Sequence, residues 1–263
     1  MIPNPAALAA LTSKPRIDEI NLQLLQDFYK TYLNPYRYSF ELADGFTLDL
    51  DFEEEAFCHL VATESIMKGA IQERKLKNYR GALGWNGVSN GTITFDHLKE
   101  KGNKLNFKNN KAKFVYFHLI PKVLNAANKA VYYKVEVNRI KCELIIYDVQ
   151  ENAYIHLGLE KTDKGIYAPR TFLIETITST NTGTKFIDPQ PDNPIAIVRT
   201  TRTPRNPATT PAVLAVPATV LVSSVQPSSN PSSKPPAPAA SQTSTPAPTQ
   251  PSSNTSSTPT TGP

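Results

Sequence analysis

The chain reads as an α+β domain, and three patterns carry that expectation. Apolar residues recur at helical spacing near the start, an alternating hairpin follows, and a run of short alternating segments separated by tight turns occupies residues 131–175. Helices gathered at the front with an antiparallel sheet behind them define the class.

Ile17, Ile20, Leu24 and Phe28 place a helix from about Pro15 to Leu33, with Asp18 and Glu19 in its first turn, where negative charge suits the helix dipole. Tyr36, Tyr38, Phe40 and Leu42 alternate with polar residues, Ala43-Asp44-Gly45 turns the chain, and Phe46, Leu48, Leu50 and Phe52 alternate again, which predicts a hairpin with one apolar face. Glu53, Glu54 and Glu55 open a second helix through Phe57, Leu60 and Val61, leaving His59 off its apolar stripe. The basic, glycine-broken stretch from Met67 to Asn90 reads as helix then loop. Thr94 caps a short helix to Lys101, and Phe114, Phe117, Val123 and Leu124 predict another over about Lys111–Asn128, stepped at Pro121. Strands are expected over Val131–Asn138, Ile140–Val149, Tyr154–Leu159 and Ile166–Glu175, joined as an antiparallel meander.

Composition changes after Val198. From Arg199 onward the chain is Pro, Ser, Thr and Ala with no acidic or aromatic residue, too little apolar surface to offset the entropy of ordering. The expected organisation is a flexible N-terminus over 1–14, a folded domain over 15–198 and a disordered tail over 199–263. Of the 28 Lys and Arg residues four lie in that tail, leaving 24 against 23 acidic residues, so the expected domain carries about +1. A bulk basic field is therefore not expected, and nucleic-acid contact would need a local patch. Lys99 through Lys113 offers one, though charge runs are more often solvated loops. The two cysteines, Cys58 and Cys142, form no CxxC pair, and Met1–Leu11 lacks the basic start and apolar core of a secretory signal. Both features favour free thiols in a cytoplasmic setting without a membrane anchor.

Chemistry concentrates in the last strands. Ile155, Leu157 and Leu159 share a face, so His156 points the other way, towards water or a cleft, and Gly158 beside it permits close approach. Tyr167 and Thr171 share a side of the next strand, and Arg170 falls on the opposite one unless a bulge intervenes. A histidine, a hydroxyl and an arginine on adjacent strands suit phosphate chemistry. His97 and His118 have no second ligand at i+4 and read as structural, and no GxxxxGKS or GxGxxG loop supports nucleotide-driven chemistry, so no cofactor is expected.

Phe57-Cys58-His59-Leu60, the aromatic helix at Phe114 and Phe117, Tyr154 to Leu159, and Pro169-Arg170-Thr171-Phe172 together resemble the barnase, EndoU, colicin and RelE-like (BECR) nucleases, nearest the fourth phage subfamily. The resemblance covers about Asn21–Phe172 and implies a small α+β fold bearing a metal-independent ribonuclease site of phage, mobile-element or toxin type. Carried over by motif, His59, His156 and Thr171 are catalytic candidates with Arg170, while Tyr167, Lys161 and Lys113 are substrate-binding candidates. The family's last motif more often has serine where Thr171 stands, which keeps the hydroxyl but restricts its rotamers. The implied chemistry makes His156 the principal acid or base and His59 its partner, yielding a 2′,3′-cyclic phosphate. RNA, tRNA included, is the implied substrate, and an inhibitor or immunity protein the implied partner. Two other functions stay open: an ADP-ribosyltransferase resting on Glu175, and a non-catalytic interaction module using the Pro-rich tail.

Overall fold

The computed structural model describes residues 1–133, 140–190 and 192–206. The expected disordered tail beyond residue 206, and the part of the Val131–Asn138 strand that falls on 134–138, lie outside the described residues.

Among the described residues eight α-helices come first: α1 (Pro5–Ala9), α2 (Leu22–Tyr32), α3 (Phe57–Leu60), α4 (Thr63–Met67), α5 (Gly81–Ser89), α6 (Phe95–Lys101), α7 (Lys104–Val115) and α8 (Ile120–Ala126), with the hairpin β1 (Tyr36–Leu42) and β2 (Thr47–Asp51) between α2 and α3. The first long helix starts later than expected, because Ile17–Glu19 forms a separate 3-10 turn with extended Ile20 after it, so Asp18 and Glu19 precede α2 and do not lie in its first turn. Asn21, Thr94 and Asn103 each accept a backbone N–H from the first turn of the helix that follows, and Pro121 sits in the first turn of α8, where its missing N–H costs nothing. After a turn at residues 68–72, the stretch to Asn90 forms a 3-10 helix over Glu73–Tyr79 and then α5 where a loop was expected, with Leu76, Trp85 and Val88 reaching the core. The lysine-rich stretch is helical too, forming α6 and α7 rather than a loop.

The meander appears as β3 (Lys129–Tyr132), β4 (Leu144–Gln150), β5 (Ala153–Lys161) and β6 (Tyr167–Thr176), all antiparallel neighbours. The sheet is larger than the meander and the hairpin apart. A seventh strand, β7 (Ile195–Pro204), pairs with β1 along nearly its whole length and touches β3 at Lys129 and Ala130, closing the order β1-β2-β6-β5-β4-β3-β7 into a barrel. One seam is weak: β2 and β6 meet in parallel at the single pair Leu50 and Tyr167.

Two expected boundaries are corrected by these elements. Residues 199–204 belong to β7 and not to the tail; the strand buries few side chains, so composition hides it, and it is held by backbone pairing to β1. The N-terminus is likewise ordered, with α1 capped by Asn4, Leu8 wholly buried and Lys122 Nζ donating to the Leu11 carbonyl at 2.8 Å. Residues 1–206 then hold 27 basic side chains against 23 acidic ones, so the folded part is more basic than a boundary at residue 198 implies.

Aromatic rings tie helices to sheet. Phe57 lies edge-on to Trp85 at 5.5 Å and to Phe117 at 5.8 Å, and Phe117 lies edge-on to Phe172 of β6 at 6.1 Å. Each such pair adds about 0.5–1.5 kcal/mol beyond area burial. This core fixes α3 against β6. No helix among the described residues is long and apolar enough to cross a membrane.

Candidate active site

His59 occupies the last turn of α3, half-buried between Cys58 and Leu60, which face the core. Two features hold this short helix in place. Gly84 of α5 passes so close beneath it that a Cβ there would lie 2.7 Å from Cys58 Sγ, and Thr63 Oγ1 donates to the Tyr79 carbonyl at 2.5 Å. Ala62 adopts a left-handed conformation with φ of 56°, which ends α3 and restarts the chain as α4. The turn brings Glu64 back towards His59. Glu64 takes Arg80 as its ion partner at 2.9 Å.

Strand β6 packs against α3, and helix α7 packs against α4 and β6, which completes the junction. Lys113, in the last turn of α7, is half-buried, and loss of hydration pushes its pKa down to about 8. Arg170 comes from an irregularity in β6. Pro169 pairs with Leu159 and Thr171 with Gly158, so Arg170 is an extra residue without a partner on β5. Such a bulge re-aims a side chain away from the regular alternation. Arg170 Nε pairs with Glu160 at 3.2 Å, and both groups stay partly exposed. The His59 pKa is lowered first by burial, then by the positive charge of Arg170, with Glu64 opposing and Lys113 and Arg80 adding smaller downward pushes. His59, Lys113 and Arg170 thus share one electrostatic neighbourhood.

His156 is elsewhere. It sits opposite Ile155 and Leu157 in facing, as the alternation requires, yet it is wholly buried and not turned to water or an open cleft. Tyr154 stacks on it at 5.9 Å, Tyr147 lies at 6.0 Å and Phe186 lies edge-on at 5.5 Å. Phe186 comes from the chain after β6, which folds back over β4 and β5 with Ile187 in a second small apolar cluster. Neither ring nitrogen of His156 makes a hydrogen bond of good geometry; burial drives its pKa down to about 4, opposed only by the Leu173 backbone, which favours the protonated ring. Gly158 is also explained by packing. A Cβ there would meet Thr171 Cγ2 at 2.5 Å and Cys142 Sγ at 3.1 Å, so the close approach is by Thr171 itself. Thr171 lies on the His156 side of the sheet, with its methyl group in that packing.

Tyr167 and Lys161 face each other across the end of the β5–β6 hairpin and line a third place, a groove of about 430 Å³. Tyr167 is buried in its floor, with its hydroxyl 3.4 Å from Glu143 Oε2. The expected candidates therefore divide three ways: His59, Lys113 and Arg170 together; His156 and Thr171 together; Tyr167 and Lys161 together. Sequence reasoning misses Glu64 and Arg80. Both lie in stretches without motif, and only the left-handed turn at Ala62 reveals that Glu64 returns to His59.

The remaining histidines have local roles. His97 Nε2 bonds the Tyr79 hydroxyl at 2.8 Å, and His118 is buried with its pKa pushed down to about 4 by burial. Cys58 and Cys142 are free, buried thiols whose pKa values burial raises to about 11 and about 12. Glu175 accepts from Asn181 Nδ2 at 3.3 Å. Among the described residues no three His, Cys, Asp or Glu side chains gather in a way that would hold a metal ion.

No curated protein and no solved structure matches the chain. A family model does, over residues 21–191, from the cap of α2 through the cover of His156 but short of β7. By that match across most of its folded part, the chain belongs to the phage-Barnase-EndoU-ColicinE5/D-RelE like nuclease4 family.

Proposed function

We propose that the chain is an endoribonuclease that cuts RNA without a metal ion, using His59, Lys113 and Arg170 at the junction of α3, α7 and β6. The observation that carries this reading is the gathering of an imidazole, a half-buried ammonium and a bulge-directed guanidinium within one electrostatic neighbourhood. The nuclease class comes from the family; the substrate, the metal independence and the residue roles are the proposal. Cations and an imidazole match a phosphorane, whereas the carboxylates here, Glu64 and Glu160, are already engaged by Arg80 and Arg170.

His59, with its pKa held down, is neutral near pH 7 and takes the proton from the ribose 2′-hydroxyl. The freed oxygen attacks phosphorus as the bond from phosphorus to the 5′-oxygen breaks. Lys113, with a pKa of about 8 and so mostly protonated near neutrality, gives its proton to the departing oxygen. Arg170 stabilises the phosphorane charge, exchanging Glu160 for the phosphate. The products are a 2′,3′-cyclic phosphate and a 5′-hydroxyl. His156, assigned the principal proton-transfer role by motif, acts in this reading as a packing residue with Thr171.

The test is cleavage of a mixed RNA pool by the full chain in the presence of a chelator. Cyclic-phosphate ends, lost in folded His59→Ala, support the reading. Intact RNA from a folded parent, or cleavage that the chelator abolishes, overturns it.

A further inference from the structure

The groove at the weak seam of the barrel lies apart from the His59 junction. It forms because β2 and β6 pair only at Leu50 and Tyr167, leaving residues 47–49 of β2 without a strand partner on that side. The tip of the β5–β6 hairpin stands across the gap, carrying Lys161 and Lys164. Both ammonium groups are exposed, and neither forms an ion pair among the described residues. On the opposite wall Arg199 of β7 is mostly exposed and only loosely paired with Glu41, at 3.7 Å. Phe46, half-exposed, lines the groove and packs edge-on with the Tyr167 ring at 6.4 Å and the Tyr132 ring at 6.1 Å.

Glu41 and Asp49 also line the groove. Carboxylates oppose a phosphate, yet each has a cation at hand: Arg199 for Glu41, and Arg37 for Asp49 at 3.9 Å. They suit the amino edge of a base, from which carboxylates accept hydrogen bonds. Cations at the rim, one aromatic ring and acceptors below form the combination that single-stranded nucleic acid uses: backbone charge, stacking and base edges. The volume of about 430 Å³ lies within the range of ~300–1,000 Å³ typical of ligand sites. Position adds a further constraint. Tyr167 and Arg170 are three residues apart on β6, about 10 Å at ~3.3 Å per residue, so one strand can span groove and junction.

We propose that this groove is a binding subsite for a single-stranded RNA segment flanking the scissile phosphate, with Lys161, Lys164 and Arg199 on its backbone and Phe46 under a base. The proposal rests on the ribonuclease reading for its substrate. One of its three cations, Arg199, comes from β7, which lies beyond the residues matched by the family.

Binding is measured by fluorescence anisotropy of the full chain with a labelled 2′-O-methyl single-stranded oligonucleotide, which cannot be cut. The parent should bind with strong salt dependence. Lys161→Glu with Lys164→Glu should weaken it about tenfold or more and flatten the salt slope by ~0.7 for each phosphate no longer neutralised. Phe46→Ala should weaken binding with the slope kept. His59→Ala should bind as the parent does. A charge-reversed variant that binds like the parent overturns the proposal, as does a parent that prefers a duplex or an extended acidic peptide over the single strand. Cleavage read alongside separates the two readings. RNA cutting with unaltered KM in the groove variant sinks the subsite alone, while binding that depends on the lysines in a chain that never cuts sinks the nuclease reading alone.

Discussion

His59 and His156 are carried over by the same motif logic, and the structure gives them opposite surroundings. His59 is half-buried among Arg170, Lys113, Glu64 and Arg80, charges that can meet a substrate and set its protonation. His156 is wholly buried among Tyr147, Tyr154 and Phe186, with no charged group among the causes of its pKa shift and no well-formed hydrogen bond on either nitrogen. A general acid or base must reach the atom it serves, so burial beneath rings removes the access that the role needs. The difference teaches that a polar strand face is only an address, and that what covers the face decides its chemistry.

The largest effect that would break this contrast is catalytic. His59→Ala should lower cleavage by ~10²–10⁴-fold with little loss of melting temperature, while His156→Phe, which keeps the ring and removes its nitrogens, should retain activity. Equal loss of activity in folded His156→Phe would collapse the division. Next comes stability. His156→Ala should cost about 2–4 kcal/mol in denaturant unfolding, because it empties a packed aromatic site, whereas the half-exposed His59→Ala should cost under ~1 kcal/mol.

Acid sensitivity sharpens the same contrast. His156 and His118 have folded pKa values near 4, below the ordinary ~6.5 of the unfolded chain, so the unfolded state takes up the proton more readily. Their contribution is fully present above pH ~6.5 and is lost as pH falls towards 4, at ~1.4 kcal/mol per pH unit for each residue. Unfolding measured from pH 7 to pH 4 should show this slope, and His156→Phe should remove about half of it. A slope unchanged in that variant would mean that His156 is not buried as a neutral ring. The smallest effect is a displaced pH limb. Cleavage should decline above about pH 8 as Lys113 loses its proton, and Lys113→Arg, whose charge does not titrate there, should abolish that decline whatever its effect on rate. A decline that persists in Lys113→Arg assigns it to another group.

Local order was largely legible. The hairpin, the Thr94 helix start, the step at Pro121 and the alternation of β5 all follow from periodicity and capping over a few residues, whereas the start of the first helix, expected at Pro15, falls at Asn21 after a separate turn. The site was legible as a set of candidates but not as a grouping. Arg170 joins His59 because of a bulge between Pro169 and Thr171, which no residue type announces, and Lys113 joins them because α7 packs near β6. β7 shows why composition misplaced a boundary. Its β-branched run from Ile195 to Thr203 was the available signal, but Arg and Thr dominate the exposed strand, and only the free edge of β1 makes it a strand.

By itself the sequence determined the α+β class, the order of most elements, the nuclease family and the faces on which the histidines stand. Those properties depend on local periodicity and on the order of motifs, both written along the chain. Tertiary structure alone decided that the sheet closes through β7, that the chain carrying Phe186 seals His156, and that His59 feels the charges of Arg170 and Lys113. These depend on contacts between residues distant in sequence, where burial and charge are set by what packs on top and not by the neighbours in the chain.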